Sequence, residues 1–285
     1  MYYYDLLRYV SEKGSPCRPR GVLTKEARNL VLDIKAPKIA SKSRGQMRLE
    51  EGCGNFICSK SCRPFEKVLA YELAELAWYM SLNRKTAKIE PYAKLWGKIQ
   101  NEDKTANSNY GYLVFRQIGY HPSISWVDTM TGFNWALYQL EKDKDSREAV
   151  ITYNNGSYNY KENKDYICTQ CQMFLIRDNK LHCTVPLRSS DAIFGLTFNM
   201  PWWSFVQQQL RLRLLEKYPD LMLGDITVNI QSAHIYEQHF DLVKQMLKEG
   251  KEEYFIELKK RIVRGARFEW YQENLQDYLK ITRIK

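Results

Sequence analysis

Residues 168–199 of this 285-residue chain read CTQCQMFLIRDNKLHCTVPLRSSDAIFGLTFN. Two runs within them, 172–177 and 181–187, are rich in β-branched and other apolar residues, which favours strands. Asp178 and Asn179 separate the two runs and mark a tight turn. This part of the chain therefore predicts a β-hairpin.

The flanking segments predict further strands and helices around this hairpin. Two more β-rich runs are found, at 148–153 and 225–230. Helical spacing of apolar residues predicts three helices, over 65–81, 202–217 and 236–247. Pro201 is expected near the first turn of the second helix, where a proline is tolerated. The fold class is therefore α+β, with a sheet covered by helices.

Composition indicates one large globular domain. The chain is 44% hydrophobic and 13% aromatic, and no low-complexity tract divides it, so we expect a single domain over 1–285. The basic residues are interleaved with acidic ones, which disfavours polynucleotide binding. The net charge of +10 would still attract a small anionic substrate. The apolar stretch 2–10 is short and contains Asp5 and Arg8, so we expect a cytoplasmic protein without a membrane span.

Seven cysteines, an odd number, favour reduced thiols over a disulfide framework. Cys53, Cys58 and Cys62 could ligate zinc together with Cys17, but their spacing lacks the paired short knuckles of common zinc modules. We favour free thiols there and expect no metal. The Cys168-x-x-Cys171 pair precedes a predicted strand instead of opening a helix, which makes a redox motif a weak interpretation.

Five positions that include Cys168 suggest, by their order along the chain, an enzyme acting on a nucleotide. Cys168 can serve as a nucleophile and Arg188 as an anion-binding group, while the Asn199 amide can match a pyrimidine edge. His234 and Tyr236 suit a sugar hydroxyl. Taken singly, Cys168 is better interpreted as a core thiol, and His234 and Tyr236 as an ordinary buried polar pair; their occurrence together favours the functional interpretation.

The same residues resemble the thymidylate synthase superfamily in order and spacing over about 65–247. The resemblance rests on the following motifs: Glu75, Trp96, Tyr110-Gly111, Asp145-Ser146-Arg147, Cys168, Arg188-Ser189-x-Asp191, Gly195-x-x-Phe198-Asn199 and His234-x-Tyr236. It implies a thymidylate-synthase-like mixed sheet covered by helices and a homodimer formed through the sheet. Segments before and after 65–247 would be terminal extensions.

The resemblance also implies a role for each residue. Cys168, Glu75, Tyr110 and Asn199 would be catalytic, with the Cys168 thiolate adding to C6 of the pyrimidine and its pKa lowered by nearby arginines. The nucleotide would be bound by Arg188, Ser189, Arg20, Asn199, His234, Tyr236 and, from the partner subunit, Arg147. The cofactor 5,10-methylenetetrahydrofolate would contact Trp96, Asp191, Gly195 and Phe198.

Details within the motifs resemble phage deoxyuridylate and deoxycytidylate hydroxymethylases. Thr169 stands where thymidylate synthases usually have His, and Ser232 where they have Asp, while the chain ends in a basic tail instead of a short apolar one. Asn199 matches the donor and acceptor of uracil, whereas the deoxycytidylate enzymes carry Asp there. We therefore predict a dUMP hydroxymethylase. Thymidylate synthase, dCMP hydroxymethylase and a catalytically silent nucleotide- or RNA-binding relative are the alternatives.

Overall fold

The computed structural model describes residues 1, 3–34, 65–119 and 129–249. Cys53, Cys58, Cys62 and the basic residues at the C-terminus lie outside these ranges, so the zinc alternative and the tail are not addressed by the structure. The four cysteines that are described, Cys17, Cys168, Cys171 and Cys183, are free thiols.

The described residues form one mixed sheet of seven strands. The strands are β1 (Ser15–Cys17), β2 (Thr24–Ile34), β3 (Val150–Thr152), β4 (Cys171–Arg177), β5 (Lys180–Leu187), β6 (Ser190–Asp191) and β7 (Met222–Tyr236). Their order is β1-β2-β7-β5-β4-β3, with β6 also beside β7. β7 pairs in parallel with β5 and β6, and the other pairs are antiparallel. The predicted mixed sheet is confirmed.

The predicted hairpin is confirmed as β4 and β5. Asp178 and Asn179 have φ angles of 48° and 56°, the pair of positive values that a two-residue turn with the twist of the strands requires. The predicted strand at 225–230 is part of the much longer β7, and the sequence analysis missed β2, its antiparallel neighbour.

Seven α-helices accompany the sheet in the described part of the chain. They are α1 (Tyr3–Lys13), α2 (Phe65–Met80), α3 (Leu95–Ile99), α4 (Tyr110–Phe115), α5 (Gly132–Lys142), α6 (Gly195–Leu214) and α7 (Phe240–Glu249). The long helix over 65–81 is confirmed as α2. Tyr236, expected to open the last helix, instead ends β7, and a 3-10 turn over Glu237–His239 precedes α7. None of these helices is long and apolar enough to cross a membrane.

The placement of Pro201 in the first turn of a helix was wrong. α6 begins at Gly195, so Pro201 lies inside it. The earlier start has a local cause, because the Asp191 carboxylate accepts hydrogen bonds from the backbone N–H groups of Ile193 (3.0 Å) and Phe194 (3.3 Å). These bonds hold the two residues that lead into α6, whose N-cap residue is Phe194.

Within the described ranges, helices cover one face of the sheet and leave the other open. Along β5, Leu181, Cys183, Val185 and Leu187 are buried on the side where α6 packs, while the alternate residues are only partly buried. The strand register places Val31 of β2, Leu175 of β4 and Met222 of β7 on the open side. Their exposed fractions are 43%, 38% and 46%.

Candidate active site

Cys168 lies just before β4, next to the residue that follows β5. The backbone N–H of Arg188 donates to the Cys168 carbonyl at 3.1 Å, so the two residues are fixed side by side. The Arg188 guanidinium donates through Nε to the carbonyl of Ile167 (3.0 Å) and through Nη2 to that of Tyr166 (2.5 Å). Its Cζ also lies 5.0 Å from the centre of the Tyr166 ring, a cation–π contact. The predicted nucleophile and the predicted anion-binding group are therefore adjacent.

The structure contradicts the expected lowering of the thiol pKa. Burial raises the pKa of Cys168 above its usual value, and the charge of Asp165 adds to this effect. The positive charges of Arg188 and Arg20 act in the opposite direction but do not outweigh burial. The sequence shows the arginines, but it does not show how deeply the sulfur is enclosed.

Ser189, His234 and Tyr236 come together where β6 lies beside β7. Ser189 Oγ is 3.4 Å from Nδ1 of His234, and the rings of His234 and Tyr236 meet edge to face at 5.2 Å between centres. Arg20 lies in a left-handed turn with φ of 52°. Burial raises the pKa of Tyr236, and the positive charge of Arg20 partly opposes this effect. Since Arg20 also acts on Cys168, its charge reaches both parts of the site.

An aromatic wall, formed by Tyr71, Trp96, Phe194 and Phe198, joins α2, α3 and the start of α6. The Tyr71 and Phe198 rings are 4.6 Å apart, Phe194 stacks on Phe198 at 5.9 Å, and Trp96 Nε1 donates to the Tyr71 hydroxyl at 3.1 Å. The Tyr71 hydroxyl in turn donates to the buried Glu75 carboxylate at 2.5 Å. Three predicted residues, Glu75, Trp96 and Phe198, are thus linked through Tyr71.

Tyr71 is a residue that the sequence analysis missed. It lies four positions before Glu75, which places both on the same face of a helix. That spacing was the one signal that could have identified it. Burial raises the pKa of Tyr71 well above its usual value, with the Glu75 charge as the next cause, so the hydroxyl remains a donor.

Tyr110 lies at the start of α4, between the rings of Tyr79 (5.2 Å) and Tyr153 (5.0 Å). Its hydroxyl accepts a hydrogen bond from Thr169 Oγ1 at 3.0 Å. Burial raises the pKa of Tyr110, and the charge of Cys168 adds to this effect. The next residue is Gly111, and this position requires a glycine because a Cβ atom there would lie 1.7 Å from the Tyr79 carbonyl oxygen.

The thymidylate synthase family model matches residues 3–285. The chain belongs to the thymidylate synthase family. It is therefore a one-carbon transferase acting on a pyrimidine.

Relatives of this thymidylate synthase family member include both methylating and hydroxymethylating enzymes. Deoxycytidylate 5-hydroxymethyltransferase of Enterobacteria phage T4 is 29% identical over 187 residues, 63% of this chain and 72% of the relative. Thymidylate synthase 1 of Bacillus spizizenii is 25% identical over 176 residues, 60% and 58% of the two chains. The solved structure of thermostable thymidylate synthase A from Bacillus subtilis has a TM-score of 0.62 at 16% identity, covering 88% of this chain and 84% of that one, which shows the shared fold.

In the described part of the chain, no direct contact with Cys168 is seen for the remaining predicted site residues, which are Gly195, Asn199, Asp191 and Arg147. Gly195 opens α6, and Asn199 lies half-buried one turn later. The Asp191 carboxylate accepts from the backbone N–H groups of Ile193 and Phe194 just before α6, and burial raises its pKa against the effect of these bonds and of the two nearby histidines. Arg147 is exposed before β3, and no contact among the described residues joins it to Cys168.

A wide cleft of about 1210 Å³ opens elsewhere, lined by residues that include Arg84, Tyr112, Trp135, Tyr160 and Lys161. None of the predicted site residues lines it. Size alone does not identify an active site, and this cleft lacks a nucleophile beside an anion-binding group. The Cys168 region is therefore the candidate active site.

Proposed function

We propose that this thymidylate synthase family member hydroxymethylates dUMP at C5. The proposal is supported chiefly by the backbone hydrogen bond between Arg188 and Cys168 and by the effect of the Arg188 charge on the Cys168 thiol, since a guanidinium near a sulfur nucleophile suits a 5′-phosphate. Arg20 and Ser189 would add a charge and a hydroxyl to this phosphate site. Arg147 of the partner subunit would complete it.

The sulfur of Cys168 would form a bond to C6 of the pyrimidine ring, and its electron pair would make C5 nucleophilic. Since the thiol is protonated at neutral pH, its proton must leave as the carbon–sulfur bond forms. C5 would take up the one-carbon unit, lose its proton and release tetrahydrofolate, which leaves an exocyclic methylene; water would then add to this methylene as the sulfur leaves C6. The thiol is then regenerated and the product carries a hydroxymethyl group.

The uracil ring would be read by Asn199. Its side-chain oxygen accepts from N3–H and its amide nitrogen donates to O4, whereas cytosine presents the reverse pattern. Among the described residues, no hydrogen bond occupies this amide, which leaves both of its groups available to a base. His234 and Tyr236 would bind the sugar 3′-hydroxyl beside Ser189.

The aromatic wall fits 5,10-methylenetetrahydrofolate, whose flat pterin ring suits a surface of Trp96, Tyr71 and Phe198. When bound there, the cofactor supplies the one-carbon unit. Gly195 would allow close approach at the start of α6, and Asp191 would contribute by holding that helix end in place. Glu75 would organise water for proton transfers from its buried position under the wall.

Two observations support water capture over reductive methylation. Thr169 occupies the position where thymidylate synthases usually have His, and it is engaged with Tyr110. The phage T4 relative, named as a hydroxymethyltransferase, is matched over more of its own length than the Bacillus spizizenii synthase.

The name of the T4 relative favours dCMP as the second candidate substrate.

A homodimer is proposed because the open face of the sheet carries the apolar side chains of Val31, Leu175 and Met222. Exposed apolar surface of this kind is stabilised by association, and a second copy presents the same surface. Dimerisation would also let one subunit bring Arg147 to the site of the other.

The test is product mass spectrometry after incubation with the folate and either dUMP or dCMP. The proposal expects a 5-hydroxymethyl product from dUMP without dihydrofolate absorbance. A methyl product with dihydrofolate would make the enzyme a thymidylate synthase, and turnover of dCMP alone would reverse the base assignment. Absence of any product, together with absence of tritium release from C5-labelled nucleotides, would indicate a silent binding relative.

A further inference from the structure

Asp165 is a buried acid, three residues before Cys168, that the proposed chemistry does not use. Only 7% of it is exposed. Its Oδ2 accepts a hydrogen bond from the backbone N–H of Ser108 at 2.8 Å, and the Ser108 hydroxyl lies 2.7 Å from Oδ1 and 2.9 Å from Oδ2. Both carboxylate oxygens are therefore directed at one residue of the turn that precedes α4.

The backbone of Asp165 is held by the same turn. Asn107 Nδ2 donates to the Asp165 carbonyl at 3.3 Å and to Asn163 Oδ1 at 3.1 Å. Asn163 Oδ1 also accepts from the Asp165 N–H at 2.9 Å. The approach to Cys168 is thus attached to residues 107 and 108 through both side chains and backbone.

A second attachment follows Cys168 immediately. Thr169 is fully buried, and its hydroxyl donates to the hydroxyl of Tyr110, the first residue of α4. Asn109, between Ser108 and Tyr110, caps the helix by accepting from the Tyr112 N–H at 2.8 Å. Cys168 therefore lies between two side-chain attachments to the start of one capped helix.

We infer that Asp165 and Thr169 are positioning residues that fasten Cys168 to the start of α4 and so fix where its sulfur meets the substrate ring. The effect on turnover rests on the proposed function, whereas the attachment itself does not. A displacement of about 1 Å at a reacting atom can lower a rate by about 100-fold, so two such attachments have a clear use.

The electrostatics provide a readout that packing alone would not change. Burial is the largest cause of the raised Cys168 pKa, Asp165 adds to it, and Arg188 and Arg20 oppose it. Tyr110 and Tyr236 are the other titratable groups that interact with this sulfur. Burial raises the pKa of the Asp165 carboxyl, and its hydrogen bonds to Ser108 oppose this effect. Removing the Asp165 charge should therefore make the thiolate easier to form.

The experiment compares Asp165→Asn with Ser108→Ala in the full chain. Ser108→Ala removes the hydroxyl bonds and keeps the backbone N–H bond, while Asp165→Asn keeps one acceptor oxygen, so each variant weakens the attachment and only Asp165→Asn removes the charge. Iodoacetamide alkylation of Cys168, followed from pH 7 to 10 by mass spectrometry of its peptide, reports the thiolate. A fall of one pKa unit should raise the alkylation rate at a fixed pH by about threefold, since the gain in thiolate is partly offset by lower nucleophilicity. We expect this rise in Asp165→Asn only, with kcat reduced by about 10-fold or more in both variants.

Thr169→Val and Thr169→Ser form the matched pair for the second attachment. Loss of the hydroxyl in Thr169→Val should lower kcat by about 10-fold without changing the pH dependence of alkylation, and Thr169→Ser should restore the rate. Thermal melting of each variant verifies that it is folded.

Unchanged kcat and unchanged alkylation in Asp165→Asn and Ser108→Ala would overturn the inference, as would equal rates in Thr169→Val and Thr169→Ser. If the wild-type enzyme turned over no nucleotide, the proposed function would fail, while the alkylation shift in Asp165→Asn would still support the attachment.

Discussion

At the scale of single residues, Asn199 carries the choice of base. In Asn199→Asp one carboxyl oxygen can accept from the amino group of cytosine, and the other, when protonated, can donate to N3. We expect the ratio of kcat/KM for dUMP over dCMP to fall by about 10-fold or more. Asn134→Asp, an exposed change on α5, is the control and should leave the ratio unaltered. An unchanged ratio in Asn199→Asp would remove the base-reading role.

Cys183 provides a pH-dependent prediction. Burial raises the pKa of this thiol to about 12, whereas the pKa of a cysteine in an unfolded chain is about 8.5. A raised pKa means that the neutral thiol stabilises the fold fully below about pH 8.5 and that this contribution is lost progressively as the pH rises toward 12.

The measurement is urea unfolding at pH 7 and pH 10, comparing wild type with Cys183→Ala. The alanine variant should be less stable at pH 7, but its loss of unfolding free energy between the two pH values should be smaller by about 2 kcal/mol. Equal losses of unfolding free energy in the two proteins would show that burial does not raise the pKa of Cys183.

The residue types of the site were predictable from sequence, but their energetics were not. Cys168, Arg188, Ser189 and His234 were named from order and spacing, and the structure brings them together. The predicted lowering of the Cys168 pKa was wrong because the burial of the sulfur depends on segments that are distant in the sequence. Asp165 gave no signal at all, since its partner Ser108 lies 57 positions away.

At the scale of elements, the contact between α2 and α4 depends on Gly111. A Cβ atom at this position would lie 1.7 Å from the carbonyl oxygen of Tyr79, and neither backbone can yield without moving a helix. Gly111→Ala should therefore reduce the free energy of unfolding by about 3 kcal/mol or more.

Gly156→Ala is the matched control, because nothing lies within 4 Å of the added Cβ there. Chemical denaturation of both variants provides the comparison, and the control should stay within about 0.5 kcal/mol of wild type. Equal stability of the two variants would contradict the close approach of α2 and α4.

Elements were predicted well where the signal was local. The β4–β5 hairpin follows from Asp178 and Asn179, whose residue types suit the positive φ angles of the turn. The start of α6 was misplaced because the residues that lead into it are held by Asp191 of β6, a strand defined only by pairing with β7. β2 was missed because its alternation is weak and its partner lies about 200 residues away in the chain.

At the scale of the whole molecule, the open sheet face and the exposed Arg147 predict that active sites are shared between subunits. Neither Cys168→Ala nor Arg147→Glu should be active alone. Refolding the two together should restore activity, since one site of the mixed dimer combines Cys168 of one chain with Arg147 of the other.

Sedimentation should show a species of twice 33.8 kDa. Leu175→Lys, which places a charge on the open face, should shift this species toward monomer. Full activity of Arg147→Glu by itself would contradict the shared site, and an active monomer would contradict the dimer. The single domain over 1–285 stays a prediction, because residues 250–285 lie outside the described part of the chain.

The central claim is that the Cys168 sulfur bonds to C6 of the pyrimidine and thereby activates C5. Tritium release from C5-labelled dUMP in the presence of the folate measures this activation directly, with wild type beside Cys168→Ala. We predict release by the wild-type enzyme and a loss of at least about 1000-fold in Cys168→Ala, with dUMP binding retained. Release at the wild-type rate by Cys168→Ala would contradict the account.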